Sequence, residues 1–227
     1  MTTTVLRPTD LGPVWTLPGV YAPQEDTFLL ARALKAEGVA PGTDLLDLCT
    51  GSGAIAVLAA RMGARVCATD ISWRAVLTAR LNAARARQRI QVLHGDLSVP
   101  GHGRTFDTVV ANPPYMPARA ALPPRTGRAR AWDAGHDGRY LVDRICVRAP
   151  SLLKPHGVLL MVHSGLCGTD ATLRRLTSAG LSCSVTERIH VPFGPVLTAR
   201  LPWLRAQGLI GADEDREELV VVRAERS

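Results

Sequence analysis

The sequence predicts a single α/β domain built on a mainly parallel sheet with helices on both faces. Short apolar runs of strand length alternate with amphipathic runs of helix length along most of the chain. A small-residue turn, Asp47-Leu48-Cys49-Thr50-Gly51-Ser52-Gly53, directly follows the first of those strands. With 227 residues, 46% of them hydrophobic, the chain buries a substantial core as one domain spanning residues 1–227.

Residues 1–24, rich in Thr, Pro and Gly, read as an irregular lead-in. Gln24-Glu25-Asp26-Thr27 opens a helix to about Glu37, its acids set against the positive end of the helix dipole and Phe28, Leu29, Ala33 and Leu34 at helical spacing. Asp44 to Cys49 is the first strand, and Ala54 to Met62 is the helix after the turn. Arg65 to Thr69 is the second strand. Ser72 then caps a helix in which Trp73, Val76, Leu77, Leu81 and Ala84 form one apolar face. Ile90 to Leu93, Phe106 to Ala111 and Val158 to Val162 are the third, fourth and fifth strands, with a helix within 139–153. A helix over Asp170 to Ser178 ends at Gly180, and Ser182 to Ile189 and Glu218 to Arg223 supply the last strands. Two substrate-side segments break the rhythm. Residues 116–138, rich in Pro, Arg and Gly, form either a functional lid or a disordered loop, and 190–216 form a partly helical cover.

Apolar runs such as Ala54 to Ala60 fall far short of a membrane span, and MTTTVLRPTDLG lacks the apolar core of a signal peptide. A cytoplasmic protein without membrane contact is the expectation. Cys49, Cys67, Cys146, Cys167 and Cys183 are odd in number, hold no C-x-x-C pair and lie mostly in apolar segments, which suggests neither a disulfide framework nor a metal site. The net charge of +7 and the pI near 9.7 suit an acidic partner such as RNA, DNA or a ribosome-bound factor. Lys35 and Lys154 are the only lysines, however, and codon composition produces the same arginine skew.

The Asp47–Gly53 turn brings a ligand against backbone, because small residues leave room and the next helix offers unbonded N–H groups. Cys49 holds the place of the first glycine in G-x-G-x-x-G, and Ala54-Ile55-Ala56 follow Gly53 at once. The acidic-x-small-x-Gly-x-Gly form, with Gly51 and Gly53, fits S-adenosylmethionine (SAM) better than a dinucleotide. Asp70 ends the second strand where an acid accepts hydrogen bonds from ribose hydroxyls; its plainer role is to aid the helix cap at Ser72. Asp96 could accept an adenine amino proton while the Leu97 amide meets a ring nitrogen; the plainer role there is a turn.

The fourth strand runs into an elbow, Asn112-Pro113-Pro114-Tyr115. Proline has no N–H and restricts the residue before it, so the elbow is stiff and a sheet cannot use its carbonyls. The Asn112 side-chain oxygen and the Pro113 carbonyl can accept both N–H bonds of a planar NH₂ group, with Tyr115 stacking on its π-system. Such a nitrogen is a poor nucleophile because its lone pair is delocalised. Two fixed acceptors orient it and stabilise the positive charge that grows on it as a methyl group arrives, so no strong general base is needed.

Val20-Tyr21-x-Pro23-x-Glu25-Asp26-Thr27, the Asp47–Gly53 turn and the elbow together resemble the HemK/PrmC-type family of class I SAM-dependent methyltransferases. The first of these resembles the short eukaryotic and archaeal branch most specifically. With Asp70, Asp96 and Leu152-Leu153-Lys154-Pro155-His156-Gly157, the resemblance runs over residues 18 to 165. It implies a Rossmann-like sheet of seven strands with the last antiparallel, SAM as cofactor, and methylation of a glutamine amide in a release-factor-like protein. By that resemblance Thr27, Asp47, Cys49, Gly51, Gly53, Asp70, Asp96 and Leu97 contact the cofactor, Asn112 touches cofactor and acceptor, and Pro113 and Tyr115 hold the acceptor. The longer bacterial members carry an N-terminal helical domain for which this chain leaves no room, and the short branch works with a small zinc-binding partner. Arg119, Arg125, Arg128, Arg130 and Trp132 in the long loop would contact the macromolecule, unless that loop is a solvated flap. The same elbow chemistry also serves amino groups of RNA or DNA bases and of small metabolites, whereas a SAM-binding subunit without catalysis would have no use for it.

Overall fold

A computed structural model describes residues 11–97 and 103–227 of the chain. Five strands, β1 (Asp44–Leu48), β2 (Arg65–Asp70), β3 (Ile90–His94), β4 (Phe106–Ala111) and β5 (Leu153–Ser164), run parallel. Two long strands follow, β6 (Leu181–Pro192) and β7 (Arg216–Arg226), with β7 inserted antiparallel between β5 and β6. The sheet order is therefore β3-β2-β1-β4-β5-β7-β6, the seven-stranded, mostly parallel arrangement that the resemblance implies. Among the described residues, α1 (Glu25–Ala36) precedes β1, and α2 (Ala54–Arg61), α3 (Trp73–Arg85), α4 (Tyr140–Leu152), α5 (Thr169–Ser178) and α6 (Pro195–Ala206) connect the strands.

The central strands read as unbroken apolar runs because both of their faces are covered: Leu45, Leu46, Leu48, Val109, Val110 and Ala111 are fully buried. Edge strand β6 instead alternates between wetter and drier positions along its length. The chain leaves β1 toward β2 and β3 on one side, and β4 and β5 lie on the other. The order thus reverses between β1 and β4, and the crevice beyond the carboxyl ends of those strands is where such sheets hold ligands. The Asp47–Gly53 turn and the Asn112–Tyr115 elbow both lie there.

Helix α3 departs from expectation. Of the apolar face expected from Trp73, Val76, Leu77, Leu81 and Ala84, only Val76 is buried; the other four are exposed, Trp73 at 63% and Leu77 at 52%. The side that meets the domain consists of Ala75, Val76, Thr78, Ala79, Asn82 and Ala83. The reason is steric. A Cβ placed on Gly53 would stand 2.9 Å from the Ala79 Cα and Cβ, so the α2 amino end and α3 approach too closely for large side chains between them. The larger residues are left outward, next to edge strand β3, where Trp73 stacks on His94 at 4.1 Å.

Residues 116–138 form an ordered loop. Met116 and Asp133 make a parallel bridge, the Met116 N–H donates to the Trp132 carbonyl (2.7 Å), and Arg128–Ala131 form a 3-10 turn. Arg200 of α6 pins the loop by donating to the Pro117 carbonyl (2.8 Å) and Asp133 (2.6 Å). The 190–216 segment is largely helical through α6. Among the described residues no helix is long and apolar enough to cross a membrane, and no cluster of three or more His, Cys, Asp or Glu could hold a metal ion. All five cysteines are free thiols.

Candidate active site

The Asp47–Gly53 turn holds three left-handed residues. Cys49 has φ 57°, Gly51 φ 54° and Gly53 φ 79°. For Cys49 that conformation costs about 1 kcal/mol, a strain a glycine there would avoid. The two glycines differ in surroundings. A Cβ on Gly51 would meet only the Cys49 carbonyl, at 3.9 Å, so the space above Gly51 is open, whereas Gly53 is filled by Ala79. Gly51 leaves room for a ligand, and Gly53 lets two helices meet.

Asp47 lies beneath this turn, buried, with Oδ2 accepting from the Thr50 hydroxyl at 2.6 Å. Burial pushes its carboxyl up to about 7, against the Thr50 hydrogen bond. Asp70 ties two elements together: Oδ2 accepts from the Gly51 N–H (3.0 Å) and Oδ1 from the Ser72 N–H (2.8 Å). It thus braces the cap of α3, and each oxygen retains a lone pair for a further donor. Burial raises its pKa, and those two bonds lower it. Asp96 is half exposed and pairs with Arg144 of α4 at 2.8 Å. Leu97 is buried with φ 51°, a turn conformation. Burial raises the Cys49 thiol well above its ordinary pKa, and Asp70, Asp47 and Asp96 add to the effect while Arg144 opposes it. Three carboxylates thus surround the turn.

The elbow is anchored from α1. Tyr115 donates its hydroxyl to Asp26 Oδ2 at 2.9 Å, and Tyr21 donates to the same oxygen at 3.0 Å. Asp26 Oδ1 accepts from the Thr27 N–H (2.6 Å) and the Thr27 hydroxyl (3.2 Å). The Thr27 oxygen in turn accepts from Asn112 Nδ2 at 3.5 Å. This sequence of bonds has a direction. With its proton committed to Asp26, the Thr27 hydroxyl faces Asn112 as an acceptor, which sets the Asn112 amide with nitrogen toward Thr27 and leaves Oδ1 free. Pro113 is buried, and among the described residues nothing donates to its carbonyl. Tyr115 is 8% exposed with its hydroxyl pointing inward, so only a narrow strip of the ring faces outward.

The structure therefore joins Thr27, Asn112, Pro113 and Tyr115 at one corner, and Asp47, Cys49, Gly51 and Asp70 around the turn. Asp96 approaches with Arg144. Of the loop arginines, Arg119, Arg125 and Arg128 are exposed, while Arg130 is partly buried and its charge acts on Asp70. Ala118, Arg119 and Asp133 face Arg200 and Trp203 of α6 across a cavity of about 320 Å³.

Sequence reasoning missed Asp26, whose place in the first turn of a helix has a sufficient local explanation. It also missed Glu217, on β7 and within no motif. Glu217 is pushed up to about 7 by burial, with Ser164 opposing and Asp26 adding, and its Oε1 has no hydrogen-bond partner among the described residues.

Residues 12–124 match the family model described as "Methyltransferase small domain". A Methanocaldococcus jannaschii protein, provisionally named a protein N5-glutamine methyltransferase, is 33% identical over 78% of this chain and 88% of its own length. A release factor glutamine methyltransferase of Moorella thermoacetica is 38% identical over 63% of this chain, and the match spans 54% of that longer protein. Among solved structures, the Mtq2–Trm112 complex of E. cuniculi, described as responsible for methylation of the eRF1 translation termination factor, superimposes with a TM-score of 0.63. That match has 22% identity and covers 92% of this chain and 99% of that chain. Sequence similarity, sheet order and the two motif corners agree: the chain belongs to the HemK/PrmC-type family of class I SAM-dependent methyltransferases.

Proposed function

We propose that the chain transfers the methyl group of SAM to a glutamine side-chain amide of a release-factor-like protein. The observation that carries this reading is the paired acceptor at the elbow: Asn112 Oδ1, left free because Nδ2 is held by Thr27, beside the unbonded Pro113 carbonyl. Two acceptors on a rigid frame match the two N–H bonds of a planar amide, and the names of the relatives point to the same acceptor.

When bound, SAM supplies an electrophilic methyl carbon on a sulfonium. The open space over Gly51 and the lone pairs left on Asp70 fit its ribose, and Asp96 with Leu97 its adenine; Thr27, Asp47, Cys49 and Gly53 complete the wall. The Asp70 carboxylate beside Cys49 favours a cationic ligand. Asn112 and Pro113 orient the acceptor nitrogen and stabilise the charge that develops on it, and Tyr115 holds the elbow to Asp26. The loop arginines would receive the acceptor protein. A small helper subunit would find an exposed apolar face at Trp73, Leu77 and Leu81 beside edge strand β3, and the Mtq2–Trm112 complex is a two-protein assembly of this fold.

Incubation with methyl-labelled SAM, a release-factor peptide, RNA and an amino-acid extract tests the reading. N5-methylglutamine in the peptide supports it. Nuclease-sensitive label would assign the chemistry to a nucleobase amine, and tight SAM binding without transfer to any acceptor would remove the catalytic assignment.

A further inference from the structure

A second charged feature lies on the opposite edge of the sheet from the elbow. The amino ends of β2 and β3 and the carboxyl ends of α2 and α3 border an open groove of about 920 Å³. Arg65, Arg80, Arg87, Arg89 and Arg104 line it, and among the described residues no Asp or Glu does. All five are exposed.

Among the described residues only one of these charges is paired with an acid. Arg65 pairs with Asp44 at 2.8 Å. Arg80 donates to the Val92 carbonyl (2.8 Å) and Arg104 to Gln91 Oε1 (2.9 Å), neutral acceptors that fix each guanidinium in place without cancelling its charge. Arg87 and Arg89 make no ion pair or side-chain hydrogen bond among the described residues, and Arg87 sits at φ 55° in the turn that follows α3. The two helix ends contribute about half a negative charge each. Four uncompensated guanidiniums outweigh them.

From this we infer that the groove binds the phosphate backbone of a nucleic acid. Arginine is the side chain best suited to phosphate, because its planar fork meets two oxygens at once. The apolar lining is small, being Ala60, Ala64, Ala83 and Ala84 with Val66 and Ile90. A protein partner would need large anchors to fill, and there are none. The nearby Phe106 ring is buried beneath Arg104, so no aromatic face is open for stacking bases. The contact is therefore to backbone, is indifferent to sequence, and suits a duplex. It is separate from the acceptor corner and independent of which nitrogen is methylated.

Fluorescence anisotropy of the full chain with labelled 16-base-pair RNA and DNA duplexes tests it. Four phosphate contacts make affinity fall by about 100-fold between 50 and 200 mM salt. The Arg87→Ala/Arg89→Ala variant should weaken duplex binding at low salt by at least about tenfold and reduce the slope of log affinity against log salt by about two. Its SAM affinity should match that of the parent, which establishes that it is folded. An Arg119→Ala/Arg125→Ala variant, altered at the other edge, should keep the parent's slope. Unchanged duplex binding by the Arg87/Arg89 variant overturns the inference. So does a poly-glutamate peptide of matched charge that competes as well as duplex for the parent but not for the variant, since the groove would then serve an acidic protein.

Discussion

Tyr115 and Asp26, 89 residues apart in the chain, meet in a buried hydrogen bond of 2.9 Å that fastens the Asn112–Tyr115 elbow to the first helix. Asp26 uses both oxygens, one on Tyr21 and Tyr115 and one on Thr27, and has no cationic partner among the described residues. All of its donors are neutral, and through Thr27 it dictates which way the Asn112 amide faces.

Asp26→Ala leaves the buried Tyr115 hydroxyl and the partly buried Tyr21 hydroxyl without their acceptor and frees the Thr27 hydroxyl to rotate. Stability should fall by roughly 3 kcal/mol, since each orphaned buried hydroxyl costs about 1–3 kcal/mol. Turnover should fall by about 100-fold while SAM affinity stays within about tenfold, a limit of about 1.4 kcal/mol. Tyr115→Phe should cost about a third as much stability. Thermal melts and single-turnover assays check both; a loss confined to SAM binding would break the link between Asp26 and the elbow.

Asn112→Ala removes one of the paired acceptors. Turnover should be abolished with SAM affinity again within about tenfold. Asp70→Ala should do the reverse, weakening SAM first, because the Gly51 and Ser72 amides lose their common acceptor. Calorimetric SAM titration alongside the methyl-transfer assay separates the two. Full activity in Asn112→Ala would sink the role given to the elbow.

The two turn glycines should respond differently to alanine. Gly53→Ala combines φ 79° with a Cβ at 2.9 Å from Ala79 and should cost roughly 2–4 kcal/mol of stability. Gly51→Ala meets open space, so its cost should be about 1 kcal/mol, yet its methyl occupies the room over the turn and SAM affinity should drop. Urea unfolding and SAM binding on each variant give the comparison.

Asp47 and Glu217, both pushed up to about 7 by burial, bind more protons in the folded state than when unfolded. Stability is then highest below the unfolded carboxyl pKa and falls as pH rises toward the folded value. Between pH 6 and pH 8 each group should remove roughly 1.4 kcal/mol. Urea midpoints across that range measure it, and Glu217→Gln should flatten the profile by its own share. A flat profile in the parent would contradict the burial of both carboxyls.

The parts legible in the sequence were those with local causes. Apolar runs on either side of the Cys49–Gly53 turn gave β1 and α2, and two prolines fixed the elbow at the end of β4. Periodicity in α3 revealed an apolar stripe but not its direction, because the close contact of Gly53 with Ala79 decides which side packs inward. The same limit hid Asp26, whose partner Tyr115 is remote in sequence, and the order of the 116–138 loop, which depends on Arg200 in a helix 67 residues beyond Asp133.

That last tether bears on any attempt to redirect the enzyme. With Arg200 gripping Pro117 and Asp133, the loop and α6 act as one cassette although they are far apart in the gene. Grafting the loop alone from a relative would leave a guanidinium with nothing to hold and a loop with no tether. Recombination that changes targets while keeping the chemistry should exchange the two pieces together.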